Sequence, residues 1–343
     1  MALDQSAGTD RFLTGDIIGD DRPENIQLAV VKHPILLRLA LSGRECQSSG
    51  MGERQWAIGA WQQVADGVHR LVAQPAAVNI GLVVGPDAAL LVDTGSSPEQ
   101  GAALRAAAGQ VTDKPVTAAV ITHDHFDHAF GLAGIRDVRT IGHESLEQTL
   151  RDPGVAEQAR DLGFDAGTLA VPETLIAQAD VEELGGSRVV EIVHIGIGHT
   201  RGDLIATVTD PGTEGFAGVI FAGDLIESAG APYFGPDSSV DEWSWTLDRL
   251  YNLARPGTII VPGHGDPVDR DFVREQRDAV DAVRMEFGRL FAEGVPEAEA
   301  LQRGDWPFPA EHIARVVGAA YAELREAAER QPGAGDRPTL PLA

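Results

Sequence analysis

The stretch Thr122-His123-Asp124-His125-Phe126-Asp127-His128 contains three imidazoles and two carboxylates within six positions. His123 and His125 are two residues apart on extended backbone and therefore project to the same side. The following turn can bring Asp127 and His128 to a neighbouring point. Imidazole and carboxylate are the ligand types that divalent metals such as zinc prefer. The stretch therefore predicts a metal site, with a solvated polar loop as the alternative interpretation of these residues taken alone.

Three further polar residues stand in glycine-flanked turns, each shortly after a strand-like run. They are His199 in Gly198-His199-Thr200, Asp224 in Gly223-Asp224 and His264 in Pro262-Gly263-His264-Gly265. Loops at one edge of a sheet converge in space, so residues distant in sequence can meet there. The flanking glycines permit the sharp turns and close backbone approach that a crowded site needs. We therefore expect these three residues to join the cluster at residues 123–128.

Short β-rich runs alternate with helical patterns through the middle of the chain. The predicted strands are residues 68–72, 79–84, 88–92, 116–122, 188–195, 204–209, 219–222 and 258–261. The predicted helices are residues 99–108, a short segment from 129 to about 134, and residues 145–160. Ser97 and Pro98 supply an N-cap and a first-turn proline for the first of these helices. The alternation predicts an α/β architecture built in layers.

The patterning divides the chain into four expected segments. They are a peripheral leader at residues 1–50, a central domain with the metal ligands at 51–270, a helical C-terminal extension at 271–330 and a loose tail at 331–343. Apolar residues recur at helical spacing after Pro267, and Pro307 and Pro309 break that region into two helical blocks. We expect these helices to pack on the central domain, whereas the leader is expected to be dispensable for folding.

Charge and composition narrow the range of partners. The 343 residues include 27 Lys plus Arg against 52 Asp plus Glu, a formal net charge of −25, without a basic run. Such a chain repels polyanions, which disfavours nucleic acid and anionic membrane as partners. Cys46 is the only cysteine, which excludes an intramolecular disulfide and a multi-thiolate zinc site. The acidic N-terminus is unlike a secretory signal, so we expect a cytoplasmic protein that acts on a small molecule, with its oligomeric state left open.

The ordered set of HxHxDH, GHT, GD and PGHG motifs resembles the signature of the metallo-beta-lactamase superfamily over residues 67–269. The turn Asp93-Thr94-Gly95 is similar to the strand-end element that precedes the first helix in that family. The resemblance implies a four-layer αββα sandwich, with metals at one edge of the paired sheets.

The resemblance also implies a role for each metal-binding residue. The first metal would be held by His123, His125 and His199, the second by Asp127, His128 and His264, with Asp224 bridging the two. Two Zn²⁺ ions are the expected cofactors, with Fe or Mn as alternatives. A metal-bound hydroxide would be the nucleophile, since coordination lowers the pKa of water from about 16 to near 7. Asp127 would orient that hydroxide.

The function that the resemblance implies is a glyoxalase II-like metal-dependent hydrolase acting on an ester, thioester, lactone or amide of a small molecule. Asp224 stands where many β-lactamases have cysteine or serine, which disfavours a β-lactamase without removing it as an alternative. The acidic charge disfavours the nucleases, and a basic C-terminal segment like that of glyoxalase II is missing from the sequence. A mononuclear iron oxidoreductase of the persulfide dioxygenase kind shares HxHxDH and is the other alternative, ahead of a metal-binding protein without turnover.

Several other histidines and aromatic residues carry weaker expectations. His69 and His194 are expected to be packed or hydrogen-bonded, His143 and His312 to lie at the surface, and Asp124 to be a turn residue rather than a ligand. Tyr233, Phe234, Trp243 and Trp245 are equally compatible with a substrate cleft and with the core. Trp306 and Phe308 would either dock the C-terminal helices or cap the site.

Overall fold

The computed structural model describes residues 56–211 and 215–330 of the chain. The expectations for the leader at residues 1–50 and the tail at residues 331–343 lie outside these ranges. Among the described residues, no helix is both long enough and apolar enough to cross a membrane.

Twelve β-strands occur within the described ranges. In chain order they are β1 (Gln62–Ala65), β2 (Val68–Ala73), β3 (Val78–Val84), β4 (Ala89–Val92), β5 (Val116–Val120), β6 (Arg139–His143), β7 (Thr174–Ile176), β8 (Ala179–Glu183), β9 (Val189–His194), β10 (Leu204–Thr209), β11 (Val219–Glu227) and β12 (Ile259–His264).

Nine α-helices accompany these strands in the described part of the chain. They are α1 (Pro98–Ala107), α2 (Phe126–Ala129), α3 (Ser145–Leu150), α4 (Pro153–Asp161), α5 (Val240–Leu253), α6 (Arg270–Ala292), α7 (Ala300–Arg303), α8 (Ala310–Ile313) and α9 (Val317–Arg330). A 3₁₀ turn, Phe130–Gly134, directly follows α2.

The strands are hydrogen-bonded in the order β7-β6-β5-β4-β3-β12-β11-β10-β9-β8, with β2 and then β1 added beside β3. The pairs from β4 to β7 and the β11–β12 pair are parallel, and the other pairs are antiparallel. Strands β3 and β12 meet only through His264 and Val78. The sheet therefore consists of two halves, β1–β7 and β8–β12, joined at one narrow contact.

The two half-sheets face each other across a shared apolar core. Leu90 and Val120 of the first half pack in one buried cluster with Val190 and Phe221 of the second half. A Cβ atom at Gly81 would lie 2.5 Å from Cε1 of Phe221, so the sheets approach as closely as they do because residue 81 is glycine.

Helices cover the outer face of each half-sheet. On one side, Leu104 of α1 packs against Ile80. On the other side, Trp243 of α5 and Phe287 of α6 join a buried cluster with Ile220. The four-layer αββα sandwich expected from the family resemblance is thus confirmed. Residues of α8 and α9 also belong to this apolar cluster. The expected boundary between the central domain and the C-terminal extension at residue 270 stays a prediction.

The sequence analysis missed several elements, and for two of them, β8 and α5, the reason can be identified. Strand β8 carries the acidic residues Asp180 and Glu182, which are uncommon in strands, and Arg139 of β6 forms ion pairs with both of them. Helix α5 was not predicted because its aromatic residues were compatible with a substrate cleft as well as with the core. Trp243 and Leu247 nevertheless lie four positions apart on its buried face.

Candidate metal centre

All seven predicted ligands meet at one edge of the sandwich. Donor atoms of His123, His125, His199 and Asp224 lie within 4.8 Å of one another, and so do those of Asp127, His128 and His264. Four separate segments of the sequence contribute to these two groups. These four segments therefore converge at one edge of the sandwich, although not all of them are strand-end loops.

Some of these residues occupy local structure that differs from the expectation. Helix α2 begins at Phe126, so Asp127 and His128 lie on a helical turn, and the helix predicted from residue 129 starts three residues early. Asp224 lies inside β11 rather than beyond its end. Gly223 has a φ of +52° and stands at a break in the β11–β12 register. A bulge of this kind re-aims the neighbouring side chain, which explains how a mid-strand aspartate can join the site.

Asp224 lies between the two groups of donors. Its Oδ1 atom is 3.2 Å from Nε2 of His128, and its Oδ2 atom is 3.5 Å from Nε2 of His199. The same Oδ2 atom is 3.6 Å from Nε2 of His264 and 3.8 Å from Nε2 of His123. One carboxylate therefore faces imidazoles of both groups.

Among the described residues, three buried atoms at the centre of the site have no hydrogen-bond partner of suitable geometry: Nε2 of His123, Nε2 of His128 and Oδ1 of Asp224. Buried polar atoms without partners are costly and uncommon in folded proteins. A Cβ at Gly263 would lie 1.7 Å from Oδ1 of Asp224, so glycine makes the space that the carboxylate occupies. Imidazole nitrogens and carboxylate oxygens that converge in this way fit a divalent metal of the zinc type.

A buried carboxylate that the sequence analysis gave no role fixes the orientation of His128. Nδ1 of His128 is 2.8 Å from Oδ2 of Asp93. Asp93 also accepts hydrogen bonds from the backbone amide and the hydroxyl of Thr122, at 2.8 Å and 2.9 Å. Histidines that bind metals commonly use their second ring nitrogen in this way.

Two histidines of the first group, His125 and His199, are held by similar contacts. Nε2 of His125 lies 3.0 Å from Oδ2 of Asp237, which leaves its Nδ1 atom facing the site. Nδ1 of His199 lies 3.1 Å from the carbonyl oxygen of Tyr233, which leaves Nε2 facing Asp224. Each ring therefore presents one fixed nitrogen to the centre of the site.

Burial and neighbouring charge determine the protonation of these rings. Burial, reinforced by the nearby His128, holds the pKa of His123 well below its ordinary value. Burial and the neighbouring His125 lower the pKa of His199 to about 4. Neutral imidazole is the form that binds metals, so these two rings are already in the competent state. For His128, burial is outweighed by Asp224 and Asp93, and the pKa is raised well above its ordinary value.

A cavity of about 1290 Å³ opens onto the cluster. Asp127, Asp224 and His264 line its floor, and Phe126 and Phe272 contribute apolar walls. Pockets that bind small molecules usually measure about 300 to 1,000 Å³. The cavity is therefore large enough for a substrate with several functional groups.

The loop that carries His264 is held by two residues that sequence reasoning missed. Asn79 donates its side-chain amide to the carbonyl oxygens of Pro262 and Gly265, at 2.9 Å and 2.8 Å. Arg70 donates to the same Gly265 carbonyl at 2.8 Å. Both residues lie on the first half-sheet, far from the loop in sequence, so local motifs gave no signal for them.

The turn that carries His199 is closed by a buried aspartate, which sequence reasoning also missed. Asp203 accepts hydrogen bonds from the backbone amide of Thr200 at 2.9 Å and from its hydroxyl at 2.8 Å. Burial raises the pKa of Asp203 to about 8, although the bonds from Thr200 oppose the shift. Its position directly after Gly202 in the polar run is the only local signal for this role.

The histidines outside the cluster agree only in part with the sequence analysis. His194 is packed and hydrogen-bonded as expected, since its Nδ1 atom lies 2.9 Å from the carbonyl oxygen of Asp203. The surface position expected for His143 is wrong, because this residue is only 8% exposed at the end of β6. Its ring packs on that of His194 with 4.6 Å between the centroids.

The aromatic residues divide between core and cavity. Phe234 and Trp243 are fully buried, Trp245 is 55% exposed, and Tyr233 lines the cavity. Trp306 packs on Phe287 and Phe308 on Phe234, with centroid separations of 4.6 Å and 6.0 Å. These two residues therefore dock the C-terminal segment onto the body of the fold. His312 is exposed as expected, and it also lines the cavity.

Sequence comparison places the chain beside proteins with two different assigned activities. The model of the metallo-beta-lactamase superfamily matches residues 73–264, more than half of the chain. The type 2 metallo-beta-lactamase of Bacillus sp. (strain 170) is 30% identical over 168 residues, which cover 48% of this chain and 58% of that protein. The acyl-coenzyme A thioesterase MBLAC2 of Bos taurus is 29% identical over 214 residues, 54% of this chain and 72% of that protein. The chain thus spans little more than half the length of the first of these relatives.

Solved structures share the fold at lower sequence identity. The metallo-beta-lactamase FIM-1 of Pseudomonas aeruginosa in its mono-zinc form superposes with a TM-score of 0.51 and 21% identity, over 65% of this chain and 95% of that one. A metallo-beta-lactamase from Pontibacter korlensis gives a TM-score of 0.50 at 20% identity, over 64% of this chain and 98% of that one.

Proposed function

The chain belongs to the metallo-beta-lactamase superfamily, and we propose that it is a hydrolase with two divalent metal ions, zinc by preference, that cleaves an acyl bond of a small molecule. The observation that carries this proposal is the placement of Asp224. Its carboxylate faces imidazoles of both donor groups, and within the described part of the chain Nε2 of His123 and Nε2 of His128 have no hydrogen-bond partner.

The proposed ligands follow from the two groups of donors. His123, His125 and His199 would hold the first ion, Asp127, His128 and His264 would hold the second, and both ions would share Asp224. Histidine and carboxylate without thiolate also accommodate iron or manganese, so the choice of zinc is part of the proposal.

Metal ions in such a site supply a water of lowered pKa and polarise the carbonyl oxygen of the substrate. The protein supplies a carboxylate that orients this water by accepting a hydrogen bond from it. Asp127 lines the cavity, and its Oδ2 atom lies 3.2 Å from Nε2 of His264. Burial opposes its ionisation, but His128 and His264 outweigh that effect and lower the pKa of Asp127. Asp127 is therefore ionised at neutral pH and can accept a hydrogen bond from the attacking water.

A thioester is the acyl bond that we favour. The MBLAC2 relatives, named as acyl-coenzyme A thioesterases, match over 54% of this chain, somewhat more than the β-lactamases do. The size of the cavity supports a substrate larger than a simple ester. Oxygen esters, lactones and amides follow the same chemistry and belong in the same test.

The test is a substrate panel run on protein whose metal content has been measured. The panel contains a thioester, an oxygen ester, a lactone, an amide and a chromogenic β-lactam, with persulfide-dependent oxygen uptake measured in parallel. We expect thioester hydrolysis that disappears after chelation and returns with zinc. Turnover of the β-lactam alone would assign a β-lactamase instead, and oxygen uptake on a persulfide with one bound iron would replace the hydrolase by the oxidoreductase.

A further inference from the structure

Arg315 lies at the cavity, in the turn between α8 and α9. Ile313, two positions before it, and Val316, directly after it, are fully buried in the core that α5 and α6 share with the sheet. These anchors hold the turn in place. Residue 315 also lies beyond the segment 73–264 that matches the superfamily, so this feature belongs to the helical extension of this chain.

Arg315 contacts Tyr233, and Tyr233 in turn lies beside the candidate metal centre. Nη1 of Arg315 donates a hydrogen bond of 2.8 Å to the phenol oxygen, and the guanidinium carbon lies 5.2 Å from the ring centroid. The centroids of the Tyr233 and His125 rings are 6.2 Å apart, and the carbonyl oxygen of Tyr233 lies 3.1 Å from Nδ1 of His199. Tyr233 therefore links the guanidinium group of Arg315 to two proposed metal ligands, His125 and His199.

Arg315 is unlike the other arginine of the cavity because it lacks an acidic partner. Arg70 pairs with Asp266 at 2.7 Å, and Asp237 of the cavity wall is engaged by His125 at 3.0 Å. Within the described part of the chain, the phenol of Tyr233 is the hydrogen-bond partner of the Arg315 side chain, and a carboxylate partner is missing.

Guanidinium groups bind carboxylates and phosphates through charge-assisted hydrogen bonds. The Tyr233 phenol adds to this capacity, because its oxygen accepts from Arg315 and its proton remains available to an anionic oxygen. Tyr233 is 40% exposed, so a ligand can reach both groups from the cavity. Arg315 and Tyr233 line the same cavity as Asp127, Asp224 and His264 of the cluster.

We propose that Arg315 and Tyr233 form a subsite for a negatively charged group of the substrate, a carboxylate or a phosphate, at a distance from the bond that is cleaved. The inference rests on the proposed acyl hydrolysis and names the substrate class as anionic acyl compounds. Arg315 is then a specificity-determining residue, and its contribution falls on substrate binding rather than on the chemical step.

Five thioesters that differ in charge test this proposal. Butyryl-N-acetylcysteamine and butyryl-pantetheine are neutral. Succinyl-N-acetylcysteamine and butyryl-N-acetylcysteine carry a carboxylate on the acyl and the thiol side, and butyryl-4′-phosphopantetheine carries a phosphate. We expect wild type to prefer at least one charged member, and Arg315→Gln to lower the charged-to-neutral ratio of kcat/KM by about tenfold, mainly through KM. The charged member that shows the loss identifies carboxylate or phosphate as the bound group.

Two further variants control for fold and charge. Arg315→Lys keeps the positive charge and should retain much of the preference. Arg255→Gln removes an exposed arginine outside the cavity lining and should leave the ratio unchanged. If neutral thioesters are hydrolysed and Arg315→Gln leaves every charged-to-neutral ratio unaltered, the subsite is wrong while the hydrolase stands.

If the protein shows no turnover, direct binding measurements test the anionic subsite separately from the proposed thioester hydrolysis. If wild type hydrolyses none of the five thioesters, thioester hydrolysis fails as the function. Calorimetry with S-methyl-pantetheine, S-methyl-phosphopantetheine and the methyl thioether of N-acetylcysteine then tests the subsite alone. Tighter binding of a charged member that weakens about tenfold in Arg315→Gln supports the subsite, and equal binding of charged and neutral members overturns it.

Discussion

Nδ1 of His128 lies 2.8 Å from Oδ2 of Asp93, and both side chains are buried. Because Asp93 is fixed by two hydrogen bonds from Thr122, it holds the His128 ring with Nε2 directed at Asp224. The nitrogen of His128 that we propose as a metal ligand is therefore oriented by a residue 35 positions earlier in the chain.

Asp93→Asn tests that relationship. Asparagine keeps the shape of the side chain and tolerates the positive φ of 66° at this position, but it removes the negative charge that faces His128. We expect the affinity of the second metal position to fall by about 10- to 100-fold while the protein stays folded. Competition with a chromogenic chelator measures the effect. Equal affinity in wild type and variant would show that Asp93 does not position His128, and the exposed Asp113→Asn is the matched control.

Asp224→Ala tests the shared ligand. Since its carboxylate faces His199 on one side and His128 on the other, its loss should lower the occupancy of both metal positions. Metal analysis after dialysis provides the measurement, with the exposed Asp241→Asn as the control. Retention of two ions per chain in Asp224→Ala would contradict a bridging role.

Asp127→Asn tests the residue that orients the attacking water. The substitution preserves the side-chain shape but removes the charge that orients the attacking water. With metal content matched to wild type, we expect kcat to fall by about a hundredfold or more and KM to change much less. A variant that turns over its best thioester as fast as wild type would remove Asp127 from the mechanism.

Phe287→Ala tests whether the C-terminal helices are integral to the fold. Phe287 is buried on α6 and packs on Trp306, so truncation should lower the free energy of unfolding by about 3 to 5 kcal/mol. Met285 on the same helix is 60% exposed, and Met285→Ala should change stability by about 0.5 kcal/mol or less. Equal denaturation midpoints for the two variants would mean that α6 contributes little to the stability of the domain.

The residues of the candidate metal site could be predicted from sequence because they lie in short motifs whose residue types and spacing are local. Their supporting contacts could not. Arg70 reaches the carbonyl of Gly265 across 195 positions of sequence, and His125 reaches Asp237 across 112. Neither pair leaves a local pattern, because the contact exists only once the half-sheets have come together.

Secondary structure shows the same division between local and distant causes. Strands that consist mostly of apolar residues, such as β3 and β5, were predicted nearly to their ends. The polar strand β8 was missed because the ion pairs that stabilise it involve Arg139 on another strand. β11 continues through Asp224 because β12 pairs with it beyond the bulge at Gly223.

The stoichiometry of metal reactivation tests the two-metal hydrolase most directly. Wild-type protein is stripped with a chelator, its metal content is verified, and zinc is added back stepwise while thioester hydrolysis and bound metal are measured on the same samples. We predict that activity is absent in the stripped protein and rises to a plateau at two zinc ions per chain. Full hydrolysis in metal-free protein, or maximal activity restored by one iron together with oxygen uptake on a persulfide, would contradict the account.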